Sequence, residues 1–372
     1  MDEWRQYNLD QIYQFSSGLS KPADQFGFGY PFLSFKEVFG NYFLPRQLTQ
    51  LVNSTEKERA SGSIKRGDVF ITRTSETDDD LGMTSVALKD YPDATFNGFT
   101  KRMRPKGTAE ILPEFAGYYF RAKRFQAEIA GMSSVTTRAS LNNGMLATLK
   151  MNLPPLPEQK GIAEVLSSLD DKIDLLHRQN KTLESLAQTL FRQWFIEEAD
   201  GQVGKLSDVI ELHYGKTLKQ ESRTGDGFPV VGSNGIIGYH SEYLIEAPGI
   251  VIGRKGTLGK VVYLNDNFFP IDTTYFIKSK TESEGLFYEY FLLKTLNFEE
   301  MNSDSAVPGL NRDIALATEI HIASDKRRNE FNAQCFDLFH KKQQNTEQIQ
   351  TLIKLRDSLL PNLMSRTLTM RN

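Results

Sequence analysis

Residues 153–195, LPPLPEQKGIAEVLSSLDDKIDLLHRQNKTLESLAQTLFRQWF, decide the architecture of this chain. Beyond its proline-rich entry the stretch has one glycine and no proline, and its apolar residues recur at alternating steps of four and three. That spacing is typical of the a/d seam of a coiled coil. The apolar stripe is narrow, so we predict a long helix with one partner helix rather than a single amphipathic helix on a globular core. The predicted seam consists of Ile162, Leu166, Leu169, Ile173, Leu176, Asn180, Leu183, Ala187, Leu190 and Trp194.

A second stretch of the same chain, residues 326–367, supplies the expected partner helix. TLESLAQTLFRQWF (182–195) aligns with TLIKLRDSLLPNLM (351–364), an offset of 169 residues. Three polar side chains are expected to weaken this second seam, and Pro361 is expected to end or kink the helix. We predict that the two helices pair as an antiparallel coiled coil. The positions 169 residues beyond the first seam are Phe331, Cys335, Leu338, Lys342, Asn345, Ile349, Leu352, Arg356, Leu359 and Leu363.

The repeat extends into the segments that precede each helix. KRGDVFITR (65–73) resembles EAPGIVIGR (246–254), and Leu141-Asn142 falls on Leu310-Asn311. Short β-rich runs are punctuated by glycine, proline and asparagine and alternate with helical pieces, which favours the α+β class with a small, partly barrel-like sheet in each half. We predict five segments: a globular domain at 1–155, a central helix at 156–197, a linker at 198–204, a second globular domain at 205–322 and a C-terminal helix at 323–367.

Composition excludes several classes of protein. The single cysteine, Cys335, rules out an internal disulfide framework and fits a reducing compartment. The N-terminal segment is polar, and no run approaches the roughly 18–20 apolar residues of a membrane span, so we expect a cytoplasmic, soluble protein. The net charge of −3 neither supports nor excludes a nucleic-acid partner, because a basic face can be offset elsewhere.

No catalytic motif stands out in the sequence. GRKGTLGK (253–260) departs from the phosphate-binding loop pattern, since Lys260 is followed by valine, and a hairpin loop is the simpler interpretation. The five histidines lack metal-ligand spacing, and the run Asp78-Asp79-Asp80 lies in a polar loop. NLPPL (152–156) resembles the tetrapeptide of amino-methyltransferases only in part, because Leu153 interrupts it. We therefore expect no active site, metal or cofactor in this chain.

Binding is the better prospect, because cationic residues cluster among aromatic ones. Residues 101–138 carry eight arginines and lysines against three glutamates, and the interleaved aromatic residues include Phe96, Phe99, Tyr118, Tyr119, Phe120 and Phe125. Arginine offers a bidentate fork to guanine, and glycine-supported loops let backbone approach phosphate. A solvated basic surface is the alternative for each residue taken alone. The predicted DNA contacts are Arg73, Lys101, Arg102, Arg104, Lys106 and Arg138 in the first half, and Tyr214, Lys216, Ser233, Asn234, Arg254, Lys255 and Lys260 in the second.

Two non-identical β-rich units, each followed by a matching long helix, resemble the specificity subunit of type I restriction–modification systems. The stretch 153–195 looks like the central spacer of that family. GSNGIIGYH (232–240) and GIVIGRKGTLGKVVYL (249–264) followed by PIDTTYFI (270–277) are similar to one type of its recognition domain.

The resemblance implies that the globular units are target recognition domains, each reading one half of a bipartite sequence in double-stranded DNA. It further implies that the helices set the gap and dock two methyltransferase subunits, forming a hetero-oligomer with restriction/translocase subunits. DNA methylation and cleavage, with S-adenosylmethionine, ATP and Mg, would then belong to the partner subunits. A coiled-coil scaffold that binds only proteins remains the alternative, and an enzyme in its own right is the third possibility.

Overall fold

The computed structural model describes residues 3–74, 81–133, 140–198, 201–281, 285–301 and 309–365. The chain divides into two compact units. Unit 1 comprises residues 1–174 and 350–372, and unit 2 comprises residues 175–349. Each long helix therefore contributes one part to unit 1 and the other part to unit 2.

The elements of the first half of the chain alternate short strands with short helices before the first long helix. The strands are Arg5–Asn8 (β1), Tyr13–Ser17 (β2), Phe26–Leu33 (β3), Gln50–Val52 (β4), Val69–Thr72 (β5), Thr84–Val86 (β6), Thr95–Phe96 (β7), Thr100–Pro105 (β8) and Lys150–Leu153 (β9). The helices are Leu9–Ile12 (α1), Phe35–Gly40 (α2), Glu56–Ser61 (α3), Pro113–Arg121 (α4), Lys123–Ser133 (α5), Asn143–Thr148 (α6) and Leu156–Arg192 (α7), with a 3-10 turn at Ala23–Gln25.

The second half repeats this plan. Its strands are Gln202–Lys205 (β10), Ile210–Tyr214 (β11), Phe228–Gly232 (β12), Gly235–His240 (β13), Gly249–Gly253 (β14), Val261–Leu264 (β15), Phe269–Pro270 (β16), Thr274–Ser279 (β17) and Glu319–Ile322 (β18). Its helices are Phe287–Thr295 (α8), Arg312–Leu316 (α9) and Asp325–Met364 (α10), with 3-10 turns at Leu206–Asp208 and Gln220–Ser222. A π-helical turn, Gln193–Glu197, extends α7. Strand β10 begins inside the segment predicted as a linker.

Sheet topology confirms the internal repeat. The first half has a four-stranded antiparallel sheet in the order β2-β8-β5-β6 and a three-stranded sheet in the order β4-β3-β7, in which β3 and β7 are parallel. The second half has β11-β17-β14-β15 and β13-β12-β16, with β12 and β16 parallel. A two-stranded ribbon, β1-β9 or β10-β18, completes each half. The predicted α+β class with a pseudo-two-fold repeat is therefore confirmed.

The first turn of α7 shows why the proline-rich stretch begins a helix. Pro157 lies in that turn, where a missing N–H costs nothing. Gln159 is buried; its side chain accepts a hydrogen bond from the Leu112 N–H and donates to the carbonyls of Glu110 and Pro154. These bonds attach the start of α7 to the segment that precedes α4.

The predicted seam positions are all buried or half-buried. In unit 1, Ile162 and Leu166 of α7 and Leu363 of α10 join the main core cluster with α4 and α5. In unit 2, Ala187 of α7 and Phe331 and Cys335 of α10 join the second large core cluster with α8. Burial raises the pKa of the Cys335 thiol to about 12, which keeps it protonated and apolar in character.

Hydrogen-bonded pairs show that the two helices run antiparallel. In unit 2, Asn180 of α7 donates to Thr346 of α10 over 3.2 Å, and Lys342 of α10 donates to Glu184 of α7 over 2.6 Å. The residue number rises along one helix while it falls along the other. The buried Asn345 also donates to Asn180 over 3.0 Å, a polar layer of the kind that specifies register at a cost in stability.

The cations that were expected to weaken the second seam instead pair with carboxylates of α7. In unit 1, Arg356 donates to Asp170 over 2.8 Å, and Asp170 also accepts a hydrogen bond from Tyr118 of α4 over 2.7 Å. In unit 2, Glu184 accepts from Lys342 and, over 3.0 Å, from Tyr290 of α8. A tyrosine, a carboxylate and a cation thus join the globular part of each unit to both of its helix segments.

Pro361 does not end α10, and the alternative expectation of a kink stays a prediction. The helix continues to Met364, and Leu360, Leu363 and Met364 are buried in the unit 1 core. The burial of these apolar side chains compensates for the backbone hydrogen bond that proline cannot donate.

Glu184 should make the stability of unit 2 depend on pH. Burial raises the pKa of Glu184, but hydrogen bonds and charge from Lys342 and Lys294 outweigh it and lower the pKa from 4.5 to about 2. A carboxyl group with a lower pKa in the folded state stabilises fully above its unfolded pKa and loses that contribution as pH falls towards the folded pKa. The melting temperature of Glu184→Gln should therefore lie below wild type at pH 7, and the difference should narrow between pH 4.5 and 2.

Glu164→Gln is the matched control, because Glu164 is an exposed carboxylate of the same helix. It should lower the melting temperature less than Glu184→Gln at pH 7. A difference between wild type and Glu184→Gln that stays constant from pH 7 to pH 3 would contradict the assignment.

Candidate nucleic-acid interface

In unit 2, Arg254 is held against two tyrosine rings at the end of β14. Its guanidinium carbon lies 4.9 Å from the ring centroid of Tyr214 and 5.7 Å from that of Tyr275, and its Nη1 donates to the Asp272 carbonyl over 3.1 Å. Tyr275 is buried, whereas Tyr214 is 50% exposed. Arg312 of α9 lies 5.7 Å from the Tyr214 ring. Cation–π contacts thus orient a planar, five-donor group before any ligand arrives.

Two loops of unit 2 pack together beside Arg254. A Cβ on Gly253 would lie 2.1 Å from the Thr257 carbonyl oxygen and 2.9 Å from that of Ser233, so only glycine allows this approach. Across the same loops, Lys260 Nζ donates to the carbonyl of Asn234 over 2.8 Å and to its side-chain oxygen over 3.0 Å. The predicted contacts Ser233, Asn234, Arg254 and Lys260 are therefore brought together.

Two further predicted lysines of unit 2 are exposed. Lys255 follows Arg254, and its backbone forms a bridge to Gly309. Lys216 follows β11, and its backbone N–H donates to the Pro270 carbonyl over 3.0 Å. Both side chains are open to solvent and can reach an approaching anion.

In unit 1, Arg73 comes directly after β5 and lies near a buried lysine. Its backbone N–H donates to the Phe99 carbonyl over 2.9 Å. Lys101 is only 6% exposed, and its Nζ donates to the side-chain oxygen of Asn143 over 2.7 Å and to the Ser17 hydroxyl over 3.4 Å. Burial, and then the charge of Arg73, lower the pKa of Lys101. Positive charge is thus concentrated at this end of the sheet.

The other predicted cations of β8 point into the fold. Arg102 is 6% exposed and donates to the carbonyls of Ser61 and Ser63 and to the Ser16 hydroxyl. Burial, and then the charge of Arg104, lower the pKa of Arg102. Arg104 forms two hydrogen bonds, of 2.7 and 2.6 Å, with the buried carboxylate of Asp68. Both side chains use their donors inside unit 1, and their contact with DNA stays a prediction.

The remaining predictions for unit 1 differ in their surroundings. Lys106 is exposed, and its ammonium donates to the Asp10 carbonyl. Arg138 and the aspartates 78–80 lie outside the described residues. Of the interleaved aromatic residues only Phe99 is exposed; the other five are buried because β7, α4 and α5 build the cores. Those five are Phe96, Tyr118, Tyr119, Phe120 and Phe125.

Sequence reasoning missed Ser17, Asn143 and Arg312, which lie beside the predicted residues. The alignment of Leu141-Asn142 with Leu310-Asn311 contained a signal for two of them. Both asparagines are N-caps, of α6 and α9, and the residue that follows is Asn143 in one half and Arg312 in the other. Extending the alignment by one residue would have matched Asn143 with Arg312, an amide with a guanidinium group.

Within the described ranges, no group of three or more histidine, cysteine, aspartate and glutamate residues could hold a metal ion. No helix among the described residues is long and apolar enough to span a bilayer.

The chain is similar over most of its length to known proteins. The profile of the type I restriction modification DNA specificity domain matches residues 1–185 and again residues 198–355. The MjaIX specificity subunit of Methanocaldococcus jannaschii is 24% identical over 394 residues, covering 94% of this chain and 89% of its own. The HindI specificity subunit of Haemophilus influenzae is 26% identical over 234 residues, covering 60% of this chain and 48% of its own.

The fold is similar to a solved structure. The S subunit of a type I restriction–modification system from M. genitalium superposes with a TM-score of 0.57 at 18% identity, covering 97% of this chain and 96% of that chain. The two profile matches fall on the two halves that share one sheet plan, and together they span most of the sequence. The family resemblance inferred from the sequence is confirmed, and this chain belongs to the family of type I restriction–modification DNA specificity subunits.

Proposed function

We propose that this chain binds double-stranded DNA sequence-specifically and that each globular unit reads one half of a bipartite target. The observation that carries the proposal is one sheet plan present twice, with cationic and polar side chains at the same strand end in each copy. In unit 2 that group contains Arg254, Arg312 and Lys260; in unit 1 it contains Arg73 and Lys101. Arginine and lysine at a shared edge suit phosphate contact and base reading.

We further propose that the paired helices set the distance between the half-sites and dock two methyltransferase subunits. Exposed apolar side chains on both helices support docking, because apolar surface of this kind is commonly covered by a partner. The side chains are Leu175 and Leu186 on α7 and Phe336 and Leu355 on α10. The proposal assigns DNA methylation, ATP-driven movement and cleavage, with S-adenosylmethionine, ATP and Mg, to partner subunits.

The test of DNA recognition uses Arg254→Ala and Lys255→Ala in the full chain. If Arg254 contacts a base edge, its loss should weaken binding to the preferred duplex by about 1–3 kcal/mol and relax selectivity at one position. Lys255 is exposed and suits phosphate contact, so its loss should weaken binding to all duplexes alike and reduce the salt slope by about one. Titration of fluorescent duplexes at several salt concentrations measures both quantities.

A chain that binds every duplex equally, or none, would contradict DNA recognition and favour the protein-only scaffold. Equal, sequence-independent losses in both variants would remove Arg254 from base reading while leaving DNA binding in place.

A further inference from the structure

The register of the two four-stranded sheets identifies matched positions in the two halves. The last residue of β2, Ser17, pairs with Lys101 of β8, and the last residue of β11, Tyr214, pairs with Tyr275 of β17. On the other side, Lys101 faces Ile71 of β5, and Tyr275 faces Ile252 of β14. Ser17 therefore corresponds to Tyr214, and Lys101 corresponds to Tyr275.

Two further pairs of matched positions are identified by the backbone hydrogen bonds of the residues that follow β5 and β14. Arg73 comes directly after β5, and its carbonyl accepts a hydrogen bond from Leu141 over 2.8 Å. Arg254 comes directly after β14, and its carbonyl accepts from Leu310 over 3.0 Å. Asparagine caps the next helix in both halves, and the residues after the caps are Asn143 and Arg312.

These four positions form one side-chain cluster in each unit. In unit 1, Lys101 donates hydrogen bonds to Asn143 and Ser17, and the backbone hydrogen bonds of Arg73 with Phe99 and Leu141 place Arg73 beside them. In unit 2, Tyr214 contacts both Arg254 and Arg312, while Arg254 also contacts Tyr275. We call the two clusters the tetrad sites.

The tetrad sites also share a pattern of exposure. The strand-end residue and the helix-start residue are exposed, the arginine is half-buried, and the remaining residue is buried beneath them. A buried lysine or tyrosine thus supports three side chains that can reach a ligand. The arginine is the same in both sites, whereas the other three positions differ.

We propose that the tetrad sites determine which bases each unit reads, with the shared arginine as the common contact and the three other positions setting the base. This inference rests on the proposed DNA recognition. The unit 2 site offers two guanidinium groups, whose donors suit the two acceptors of a guanine edge. The unit 1 site has the Asn143 amide and the Ser17 hydroxyl beside its arginine. Both groups can donate and accept hydrogen bonds, so they suit a base edge with one donor and one acceptor, such as that of adenine.

The experiment exchanges the two exposed positions between the units. Tyr214→Ser with Arg312→Asn gives unit 2 the exposed side chains of unit 1, and Ser17→Tyr with Asn143→Arg makes the reciprocal change. The full chain is used to select duplexes from a library with random positions, and the bound fraction is sequenced. The unit 2 exchange should change the preferred base in one half of the motif and lower its guanine preference by about fivefold or more. The unit 1 exchange should change the other half.

Lys278→Asn is the matched control for unit 2, because it removes one positive charge from β17 three residues beyond Tyr275. It should leave the preferred bases unchanged. Arg312→Asn alone is the second variant should the double exchange unfold, since Arg312 is exposed and its described ion-pair partner is its neighbour Asp313. Melting followed by circular dichroism identifies folded variants.

An unchanged motif in folded exchange variants, with affinity lowered equally for all duplexes, would overturn the inference and leave DNA recognition standing. Changes in both halves after the unit 2 exchange would also overturn it, because the site would then not act on its own half. A wild-type chain that enriches no motif would overturn both the inference and the proposed function.

Discussion

Replacing Arg104 by alanine is expected to destabilise unit 1 by about 3–5 kcal/mol, because the carboxylate of Asp68 would stay buried without its cation. The Asp68 side chain has 0% exposure, and Arg104 Nη2 lies 2.6 Å from Asp68 Oδ2. The measurement is urea unfolding followed by the fluorescence of Trp4 in a Trp194→Phe background. DNA binding should fail with the loss of fold rather than through a lost base contact.

Arg66→Ala is the matched control for Arg104→Ala. Arg66 is also an arginine of unit 1 in an ion pair, but its side chain is 47% exposed and its partner Glu114 is 31% exposed. Such exposed pairs contribute roughly 0–1 kcal/mol. The combined variant Arg104→Met with Asp68→Leu should recover much of the lost stability, since neither charge then stays buried. Equal losses in Arg104→Ala and Arg66→Ala would show that the internal ion pair is not what stabilises the sheet.

Inserting four residues into both helices should lengthen the preferred gap between half-sites by one or two base pairs. Four residues add about 6 Å and about 1.1 helical turns, so the seam stays nearly in phase. The insertions belong between Asn180 and Leu183 in α7 and between Lys342 and Asn345 in α10, on one side of the polar layer formed by Asn180 and Asn345. Methylation or footprinting on duplexes with graded gaps measures the preference.

A four-residue insertion in α7 alone is the control, and it should be strongly destabilising. It displaces Glu184 by about 6 Å, more than a hydrogen bond can span, so the contacts of Glu184 with Lys342 and Tyr290 cannot survive alongside those of Asn180. The melting temperature should fall for the single insertion and recover in the paired insertion. A folded paired variant with an unchanged preferred gap would contradict the proposal that the helices set the distance between the half-sites, while leaving recognition by the two units untouched.

Local sequence patterns were sufficient to predict the long helices and the repeated globular units. The four-three spacing predicted both long helices, because every seam position must face one partner and the spacing alone specifies that face. The repeat predicted two equivalent globular units for a similar reason, since alternating β-rich runs and turn residues are local features. The same reasoning did not locate the end of α10, which continues past Pro361 to Met364 because apolar side chains of its last turn pack in the unit 1 core.

Side-chain roles in the candidate site could not be predicted in this way. Arg102, Arg104 and Arg254 look alike in sequence, yet two donate inside unit 1 while the third lies against exposed Tyr214. Strand register makes the difference, because it decides which residues of different strands become neighbours. The effect of the seam cations Lys342 and Arg356 on helix pairing likewise could not be predicted, because it depends on which carboxylate of the antiparallel helix lies next to each of them.

The family resemblance, the two long helices and the repeat could all be predicted from the residues alone, because periodicity and repetition are properties of the chain that folding preserves. The three-dimensional fold was needed to show which cations face solvent, which are neutralised by buried carboxylates, and that Ser17 and Lys101 occupy the same places as Tyr214 and Tyr275. Those outcomes depend on contacts between residues far apart in the chain, whose partners are chosen by strand pairing and burial rather than by neighbouring residues.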